Sequence, residues 1–321
     1  MTPSTTLGAE PHIFCSDVVR IFSAQGVEVQ ALQGLNLRVD RGEMVALIGA
    51  SGSGKSTLLT ILSGLDTPTA GIARCAGYDL LALSRKERVN YQRHSVGFVW
   101  QQTSRNLLPY LTAGENVAMA MIVAGTSAGN RATRVDELLD LVDIAYCRDR
   151  LPSQMSGGEQ QRAAIAVALA NSPEILLADE PTGELDEATS AEVLEAMRSV
   201  NEKLGTTVLI VTHDPSVSGH VRRTIQIRDG RTSTEVLRRS EVDEHGQETH
   251  IAEEFAVIDR VGRLQLPSAY TDALDLRDRV RLSLESDRVE VHPAVPAPHQ
   301  PITDPELASD GFDTSTEEPT R

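Results

Sequence analysis

The fold is decided by one stretch of the chain, Gly49-Ala50-Ser51-Gly52-Ser53-Gly54-Lys55-Ser56-Thr57. An apolar run, Met44–Ile48, precedes this stretch and is typical of a buried strand, and the apolar run Leu58–Leu62 that follows is typical of a helix. A glycine-rich turn between a strand and a helix, closed by Lys and Ser, is the pattern of a phosphate-binding loop. The sequence therefore predicts an α/β fold organised around a phosphate site.

The residue types in this loop indicate which ligand it holds. Glycines allow the backbone to approach a phosphate group closely and to turn its N–H groups toward the oxygens. The helix N-terminus adds roughly half a positive charge. Lys55 is placed to reach the β- and γ-phosphates, and the Ser56 hydroxyl is placed to ligate Mg²⁺. The predicted cofactors are therefore ATP and Mg²⁺.

A second apolar run ends in two carboxylates. Residues 175–178 read as a buried strand, and Asp179 and Glu180 follow directly. The carboxyl end of such a strand opens into the ligand crevice of an α/β sheet. Asp179 is predicted to hold Mg²⁺, and Glu180 to polarise the attacking water as general base. Taken alone, the pattern fits a strand that ends in a solvated turn equally well, because Pro181 comes next.

A second anion-binding helix start lies at Ser156, Gly157 and Gly158, ahead of the alanine-rich run Ala163–Ala170. Ser156 is a natural N-cap residue, and the two glycines leave the backbone amides accessible. A single phosphate site needs only one such cradle. The simplest interpretation is that Ser156 binds the γ-phosphate held by another copy, which predicts a homodimer; the alternative is an ordinary capped helix.

Over about residues 13–235 the sequence resembles the ATP-binding subunits of ABC transporters. The resemblance implies a RecA-like core, an antiparallel β subdomain and a helical subdomain at about 103–154. It also implies roles for four further residues: Phe22 stacks on adenine, Gln101 senses Mg²⁺ and the membrane partner, Asp186 communicates across the dimer, and His213 contacts the γ-phosphate. Without the resemblance, Phe22 fits a packed core position, and Gln101 and His213 fit polar strand ends.

Three stretches, 77–80, 96–101 and 106–117, resemble the lipoprotein-release and macrolide-export ATPases in particular. That branch implies a membrane permease of the FtsX-like kind as partner, and a cytoplasmic protein held at the inner face of the cell membrane. Apolar residues of the helical subdomain, Leu107, Leu108 and Tyr110, fit either a groove for a permease helix or the core.

Composition limits the other possibilities. The three cysteines among the 321 residues lie far apart, which argues against a disulfide framework or a zinc site. The N-terminus has no signal-peptide pattern, and no apolar run is long enough to span a bilayer, so we expect a protein that is soluble by itself. Residues 1–12 are predicted to be flexible, residues 236–252 to be a linker, and the acidic, proline-rich residues 294–321 to be disordered.

The net charge of −16 is concentrated toward the C-terminus. From Val236 onward the chain has 9 Arg and no Lys against 19 Asp and Glu, a net of −10. Residues 253–293 resemble an AbrB/MazE-like swapped-hairpin domain, which implies an intertwined dimer. Because residues 252–293 contain 6 Arg against 9 acidic residues, we expect dimerisation or regulatory docking there and consider DNA binding unlikely.

Two other functions stay open from the sequence. The ATPase could drive a permease-like protein that moves no substrate and instead controls a cell-wall or envelope enzyme. Alternatively, it could be a DNA-associated regulator that acts through residues 253–293. Transported substrate and direction are not encoded in this chain, because their selectivity would lie in the permease.

Overall fold

The computed structural model describes residues 10–24, 26–242, 248–259, 262–277 and 279–293. The strands in chain order are β1 (Ile13–Ala24), β2 (Val27–Val39), β3 (Met44–Ile48), β4 (Ala70–Cys75), β5 (Tyr78–Asp79), β6 (Val96–Val99), β7 (Ile175–Asp179), β8 (Thr207–Thr212), β9 (Arg223–Arg228), β10 (Arg231–Val242), β11 (Glu248–Ala256), β12 (Val280–Leu284) and β13 (Val289–Pro293). The α-helices are α1 (Lys55–Leu62), α2 (Arg85–His94), α3 (Ala113–Ala124), α4 (Ala128–Leu141), α5 (Gly157–Ala168), α6 (Glu187–Leu204) and α7 (Ser268–Ala273).

The central sheet has seven strands in the order β11-β10-β9-β3-β8-β7-β6. Strands β9, β3, β8, β7 and β6 run parallel, whereas β10 and β11 pair antiparallel at one edge. All six residues of β8 are buried, as expected for a parallel strand covered by helices on both faces. The parallel strands place their carboxyl ends at one edge, where α/β folds bind ligands.

A second, antiparallel sheet has the order β2-β1-β4-β5. It packs through Leu32, Leu35 and Leu37 of β2 into the same apolar core as Leu58 and Leu62 of α1. The predicted antiparallel subdomain therefore braces the helix that follows the phosphate loop.

The helical part of the chain is built on α3, α4 and α5. A capping box starts α3, because Thr112 accepts a hydrogen bond from the backbone of Glu115 and the Glu115 carboxylate accepts one from Thr112. Asn116 holds the preceding loop through hydrogen bonds to the backbone of Leu108 at both its N–H and its carbonyl. Leu107 lies in the core, whereas Leu108 is partly exposed and Tyr110 is 71% exposed. The sequence allowed either a core or a permease-groove role for these three residues. The structure buries Leu107 in the core and leaves Leu108 and Tyr110 exposed.

The segment after residue 235 differs from expectation. Residues 236–252 were expected to form a linker, but β10 continues to Val242 and pairs with β11 from Val242↔Glu248 to Thr234↔Ala256. The reason is that these two strands pair through the main chain, which residues of any type can do, so the polar sequence does not prevent strand formation. Contacts divide the chain after Pro267, so the described residues from 253 to 267 belong to the larger unit and the described residues from 268 to 293 belong to a second one.

The second unit contains α7 and the hairpin of β12 and β13. The resemblance of residues 253–293 to a swapped-hairpin domain stays a prediction. The flexible N-terminus predicted up to residue 12 lies outside the described residues as far as residue 9, and the predicted disordered tail, 294–321, lies wholly outside them. Within the described ranges, no helix has the length and apolar character needed to cross a membrane.

Candidate functional site

The phosphate loop joins β3 to α1 as the sequence predicts. Gly52 and Gly54 have φ angles of +79° and +100°, a backbone region that L side chains rarely adopt. Gly49 has no room for a side chain, because a Cβ there would lie 2.4 Å from the carbonyl oxygen of Ile227. These glycines set the path of the loop and bring its N–H groups to the start of α1.

Lys55 lies at the first turn of α1 with only 6% of its surface exposed. Its Nζ donates hydrogen bonds to the carbonyl oxygens of Gly49 at 2.7 Å and Ala50 at 3.0 Å. Burial lowers the pKa of Lys55, and the nearby carboxylates of Glu180 and Asp179 act in the opposite direction. The ammonium group is thus held inside the loop that is expected to surround a triphosphate.

Ser56 and Asp179 bring two oxygen donors together. The Ser56 hydroxyl donates to Asp179 Oδ1 at 3.2 Å. Burial raises the pKa of Asp179, and the hydrogen bond from Ser56 partly offsets this effect. Hydroxyl and carboxylate oxygens are ligands that Mg²⁺ prefers, and a buried carboxylate gains from a cation beside it. The donor set therefore fits a magnesium ion.

Glu180 and His213 form a close pair at the ends of β7 and β8. Glu180 Oε2 lies 2.5 Å from His213 Nδ1. The Glu180 backbone has a positive φ of 49° and donates its N–H to the Val211 carbonyl at 2.8 Å. Non-glycine residues in this conformation concentrate at functional sites, where the surrounding structure holds them. Here the strained turn aims a carboxylate at the phosphate loop.

Gln101 follows β6 and approaches the same place. Asn106 holds the loop, since its Oδ1 accepts from the Trp100 N–H and its Nδ2 donates to the Trp100 carbonyl, both at 2.9 Å. A Cβ built on Gly183 would lie 3.5 Å from both Gln101 Nε2 and Glu180 Oε2. The amide of Gln101 and the carboxylate of Glu180 therefore both lie beside Gly183, close to each other.

Except for Asp179, these side chains surround a single cavity of about 700 Å³, lined by Ala31, Ala50, Ser51, Gly52, Gly54, Lys55, Ser56, Thr57, Gln101, Glu180 and His213. Asp179 is joined to this cavity through its hydrogen bond with Ser56. Phe22 does not line the cavity. Phe22 lies on β1 and is 40% exposed, with the Arg20 guanidinium 4.3 Å from its ring centroid. The adenine-stacking role of Phe22 stays a prediction.

Ser156 and its two glycines do not line this cavity either. Ser156 is the N-cap of α5, and a capping box forms because the Glu159 carboxylate accepts from the Ser156 N–H at 2.6 Å. Ser156 and Gly157 are exposed, whereas Gly158 is buried. Within one chain the two predicted anion cradles are therefore separate, and this separation is what a site shared between two copies requires.

Asp186 also lies away from the cavity and serves as the N-cap of α6, where it accepts hydrogen bonds from the N–H and the hydroxyl of Thr189. The start of α5 packs closely on this turn. A Cβ on Gly158 would lie 2.2 Å from Thr189 Cγ2, and one on Gly157 would lie 3.1 Å from a methyl of Leu185. Ser156, predicted to contact the γ-phosphate, and Asp186, predicted to act across the dimer, therefore cap two helices whose first turns pack against each other.

Replacing Gly158 with alanine should destabilise this contact between α5 and α6. The new methyl overlaps Thr189 Cγ2, and overpacking of this kind costs about 1–3 kcal/mol of unfolding free energy. Thr189→Ser removes only that methyl and keeps the hydroxyl that Asp186 accepts from. Denaturant unfolding should show that Gly158→Ala combined with Thr189→Ser recovers most of the loss. Equal loss in the single and double variants would contradict the contact.

The structure adds contacts that the sequence analysis missed. The turn between β9 and β10 supports the phosphate loop from behind, as the Gly230 N–H donates to the Ser53 carbonyl at 3.1 Å and the Gln33 N–H to the Gly230 carbonyl at 3.0 Å. Asp229-Gly230 between two strands is a recognisable turn signal, although it does not indicate which loop the turn meets. Gln160 of α5 also contacts Thr103, beyond Gln101, at 3.3 Å.

The parallel sheet, the phosphate loop and the two strand-end carboxylates define a nucleotide-binding P-loop ATPase. The family model for ABC transporters matches residues 32–183. The chain is also 45% identical over 215 residues to the lipoprotein-releasing system ATP-binding protein LolD of Geobacter metallireducens, covering 67% of this chain and 95% of that protein. This protein belongs to the ABC transporter family, as an ATP-binding, ATP-hydrolysing subunit related to LolD and MacB.

Two further relatives place the chain in context. The macrolide export ATP-binding/permease protein MacB of Syntrophobacter fumaroxidans is 46% identical over 216 residues, which are 67% of this chain but only 30% of MacB. A dimeric post-hydrolysis structure of the ATP-binding cassette MJ0796, bound to ADP and Pi, is 38% identical with a TM-score of 0.63, covering 70% of this chain and 97% of that one. The predicted ABC cassette fold is thereby confirmed.

Proposed function

We propose that two copies of this chain close around ATP and that hydrolysis reopens them, so that the cycle drives a membrane permease. One observation supports this above all: the cavity at the strand ends contains Lys55, Glu180 and His213, whereas Ser156 is exposed on α5 and does not line it. The second cradle of each chain is then available to cover the γ-phosphate held by the other. ATP would shift the equilibrium toward the closed dimer, because it would bind the closed state more tightly than the open one.

Each residue near the cavity has a proposed task. Lys55 and the loop amides hold the triphosphate, and Ser56 and Asp179 hold Mg²⁺ with help from Gln101. Glu180 accepts a proton from the attacking water, and His213 orients the Glu180 carboxylate through their 2.5 Å contact. The water oxygen then bonds to the γ-phosphorus as the bond to the bridging oxygen breaks, giving ADP and phosphate. Asp186 is proposed to couple the two copies of the dimer through the turn before α6, which it caps.

The proposed partner is a permease of the FtsX-like kind, and the proposed location is the inner face of the cell membrane. The names of the relatives LolD and MacB refer to lipoprotein release and macrolide export. On the helical subdomain, Leu108 and Tyr110 are exposed next to the loop that ends at Asn106, which hydrogen-bonds the backbone beside Gln101. A permease helix bound there would contact the loop that carries Gln101. The acidic C-terminal segment, residues 253–293, is proposed to serve in dimerisation or regulatory docking and not in DNA binding.

Tyr110→Ser should test the permease contact without touching the cavity. We expect affinity-tagged chain from native cells to retain an integral membrane protein in detergent, and Tyr110→Ser to retain roughly tenfold less, as for loss of an aromatic anchor. Tyr146→Ser, at a second exposed tyrosine of the subdomain (58% exposed, against 71% for Tyr110), is the matched control. Capture of no membrane protein by the wild-type chain would refute the permease assignment, and equal capture by all three proteins would refute the surface.

A further inference from the structure

The guanidinium of Arg20 lies over the aromatic ring of Phe22, two residues further along β1, at 4.3 Å from the ring centroid. A cation at this distance is attracted to the negative π-face of the ring. The guanidinium occupies one face of the ring, so a flat ligand can stack only on the other. Phe22 is 40% exposed, which leaves room for such a ligand.

Hydrogen bonds fix the guanidinium in this place. Its Nε donates to Asp66 Oδ2 at 2.7 Å, its Nη2 to Asp66 Oδ1 at 2.9 Å, and its Nη1 to the Ile21 carbonyl at 3.1 Å. A two-point contact between a guanidinium and a carboxylate sets the orientation of both groups. The side chains of Arg20 and Asp66 are only 23% and 26% exposed, so salt screens this pair less than an exposed one. The planar cation is therefore held in one orientation beside Phe22.

The carboxylate that holds Arg20 belongs to the loop that follows α1. The Asp66 N–H donates to the Thr60 carbonyl inside this helix at 3.0 Å. At its other end the helix begins at Lys55, in the phosphate loop. The ring of Phe22 is thus joined, through Arg20 and Asp66, to the helix whose first turn is expected to face the triphosphate.

The same loop also binds the backbone of β1 on both sides of Arg20. The Thr69 N–H donates to the Val19 carbonyl at 2.8 Å, and the Thr69 hydroxyl accepts from the Ile21 N–H at 3.0 Å. Two backbone contacts and one ion pair therefore hold this part of β1 to the loop after α1. The spacing between the Phe22 ring and the phosphate loop is set by these contacts before any ligand binds.

The neighbouring strand gives the ring little support. Val29, directly opposite Phe22 on β2, is itself 57% exposed. A loosely held side chain loses freedom when a ligand binds, and that loss weakens binding. We propose that Arg20 and Asp66 are positioning residues for the nucleobase, because they hold the Phe22 ring ready to stack on the base while the phosphate loop holds the triphosphate. This proposal rests on the ATP-binding function proposed above and on the predicted stacking role of Phe22.

The first test compares ATP with inorganic tripolyphosphate, which has the phosphates but no base. Arg20→Gln should weaken ATP binding about threefold, within the twofold to fivefold that one cation–π contact at a partly exposed site is worth, and should leave tripolyphosphate binding unchanged. Displacement of a fluorescent ATP analogue, titrated separately on each variant, measures both affinities. Arg74→Gln on β4 removes the same charge from the same sheet and is the matched control. Unchanged ATP affinity in Arg20→Gln, or an equal loss for both ligands, would overturn the proposal.

A second variant separates positioning from a general loss of structure. Arg20→Gln alone leaves the Asp66 carboxylate without its cation, which destabilises the loop after α1. Combining it with Asp66→Asn replaces the ion pair with two neutral amides that can still hydrogen-bond each other. This double variant should show the same threefold loss for ATP and full affinity for tripolyphosphate. Wild-type affinity for ATP in the double variant would show that the cation does not position the ring.

A double-mutant cycle separates this proposal from the assignments on which it rests. Phe22→Ala should weaken ATP binding roughly tenfold and tripolyphosphate binding not at all, as for one base stacked on an aromatic ring. Adding Arg20→Gln to Phe22→Ala should then cause no further loss.

The outcomes of this cycle point to different failures. If Phe22→Ala left ATP affinity unchanged, the stacking role would fail and the role of Arg20 with it. If Arg20→Gln weakened ATP equally with and without the Phe22 ring, stacking would stand and only the role of Arg20 would be wrong. Failure of the wild type to bind ATP and tripolyphosphate would instead refute the proposed ATP cycle itself.

Discussion

Glu180→Gln is expected to reduce ATP turnover by about 10²–10⁴-fold, the range for loss of a general base. The amide has nearly the same shape as the carboxylate, but it cannot accept a proton from the attacking water. Its oxygen or nitrogen can still hydrogen-bond His213, which lies 2.5 Å from Glu180 Oε2. The geometry of the strand end should therefore be preserved, and the loss should be chemical. Steady-state phosphate release at saturating Mg·ATP measures it.

The same variant should keep ATP and stay paired. Glu180 lines the same cavity as the phosphate loop, but the loop amides and Lys55 are expected to provide the affinity for the triphosphate. Without hydrolysis, nothing removes the γ-phosphate that the two cradles share. Glu202→Gln, an exposed position on α6, is the matched control and should behave as the wild type. Turnover above a tenth of wild type in Glu180→Gln would remove the role assigned to Glu180.

Much of the site was predictable because it follows local rules. Apolar runs that end in Asp179, Glu180 and His213 indicate buried parallel strands, and the carboxyl ends of such strands meet at one edge of a sheet. The glycines before Lys55 indicate the backbone geometry of the loop directly, because Gly52 and Gly54 adopt positive φ angles that other residues rarely adopt. Since both signals are contained in short stretches of sequence, no knowledge of distant contacts was needed to predict that Lys55, Glu180 and His213 line one cavity and that Asp179 lies beside Ser56.

The rest depends on contacts between distant parts of the chain. Residues 236–242 read as a polar linker because their strand is defined by pairing with β11, and at Val236 and Leu237 also with β9, and not by an apolar pattern of its own. The support of Ser53 by Gly230 and the packing of Gly158 against Thr189 likewise join segments far apart in sequence. The Arg20 guanidinium beside the ring of Phe22 also depends on a distant contact, because Arg20 pairs with Asp66.

Lys55→Ala should weaken ATP binding by about 100-fold, the effect of losing one to two hydrogen bonds between charged groups at about 1.5–3 kcal/mol each. Lys55 is buried within the loop, and its ammonium group already donates to two loop carbonyls at 2.7 and 3.0 Å. It is therefore held close to the position where a β- or γ-phosphate oxygen would accept from it. Titration with a fluorescent ATP analogue measures the affinity directly.

A loss of affinity counts as a binding effect only if the loop still folds. Alanine leaves the Gly49 and Ala50 carbonyls without the ammonium donor, which costs about 1–3 kcal/mol of unfolding free energy. Thermal unfolding separates the two effects, since ATP at 100 times its Kd stabilises the wild type by about 2.7 kcal/mol but should barely move the variant. Lys203→Ala, at the exposed end of α6, is the matched control. If ATP stabilised Lys55→Ala as much as the control, the triphosphate would have to be bound elsewhere than in the glycine loop.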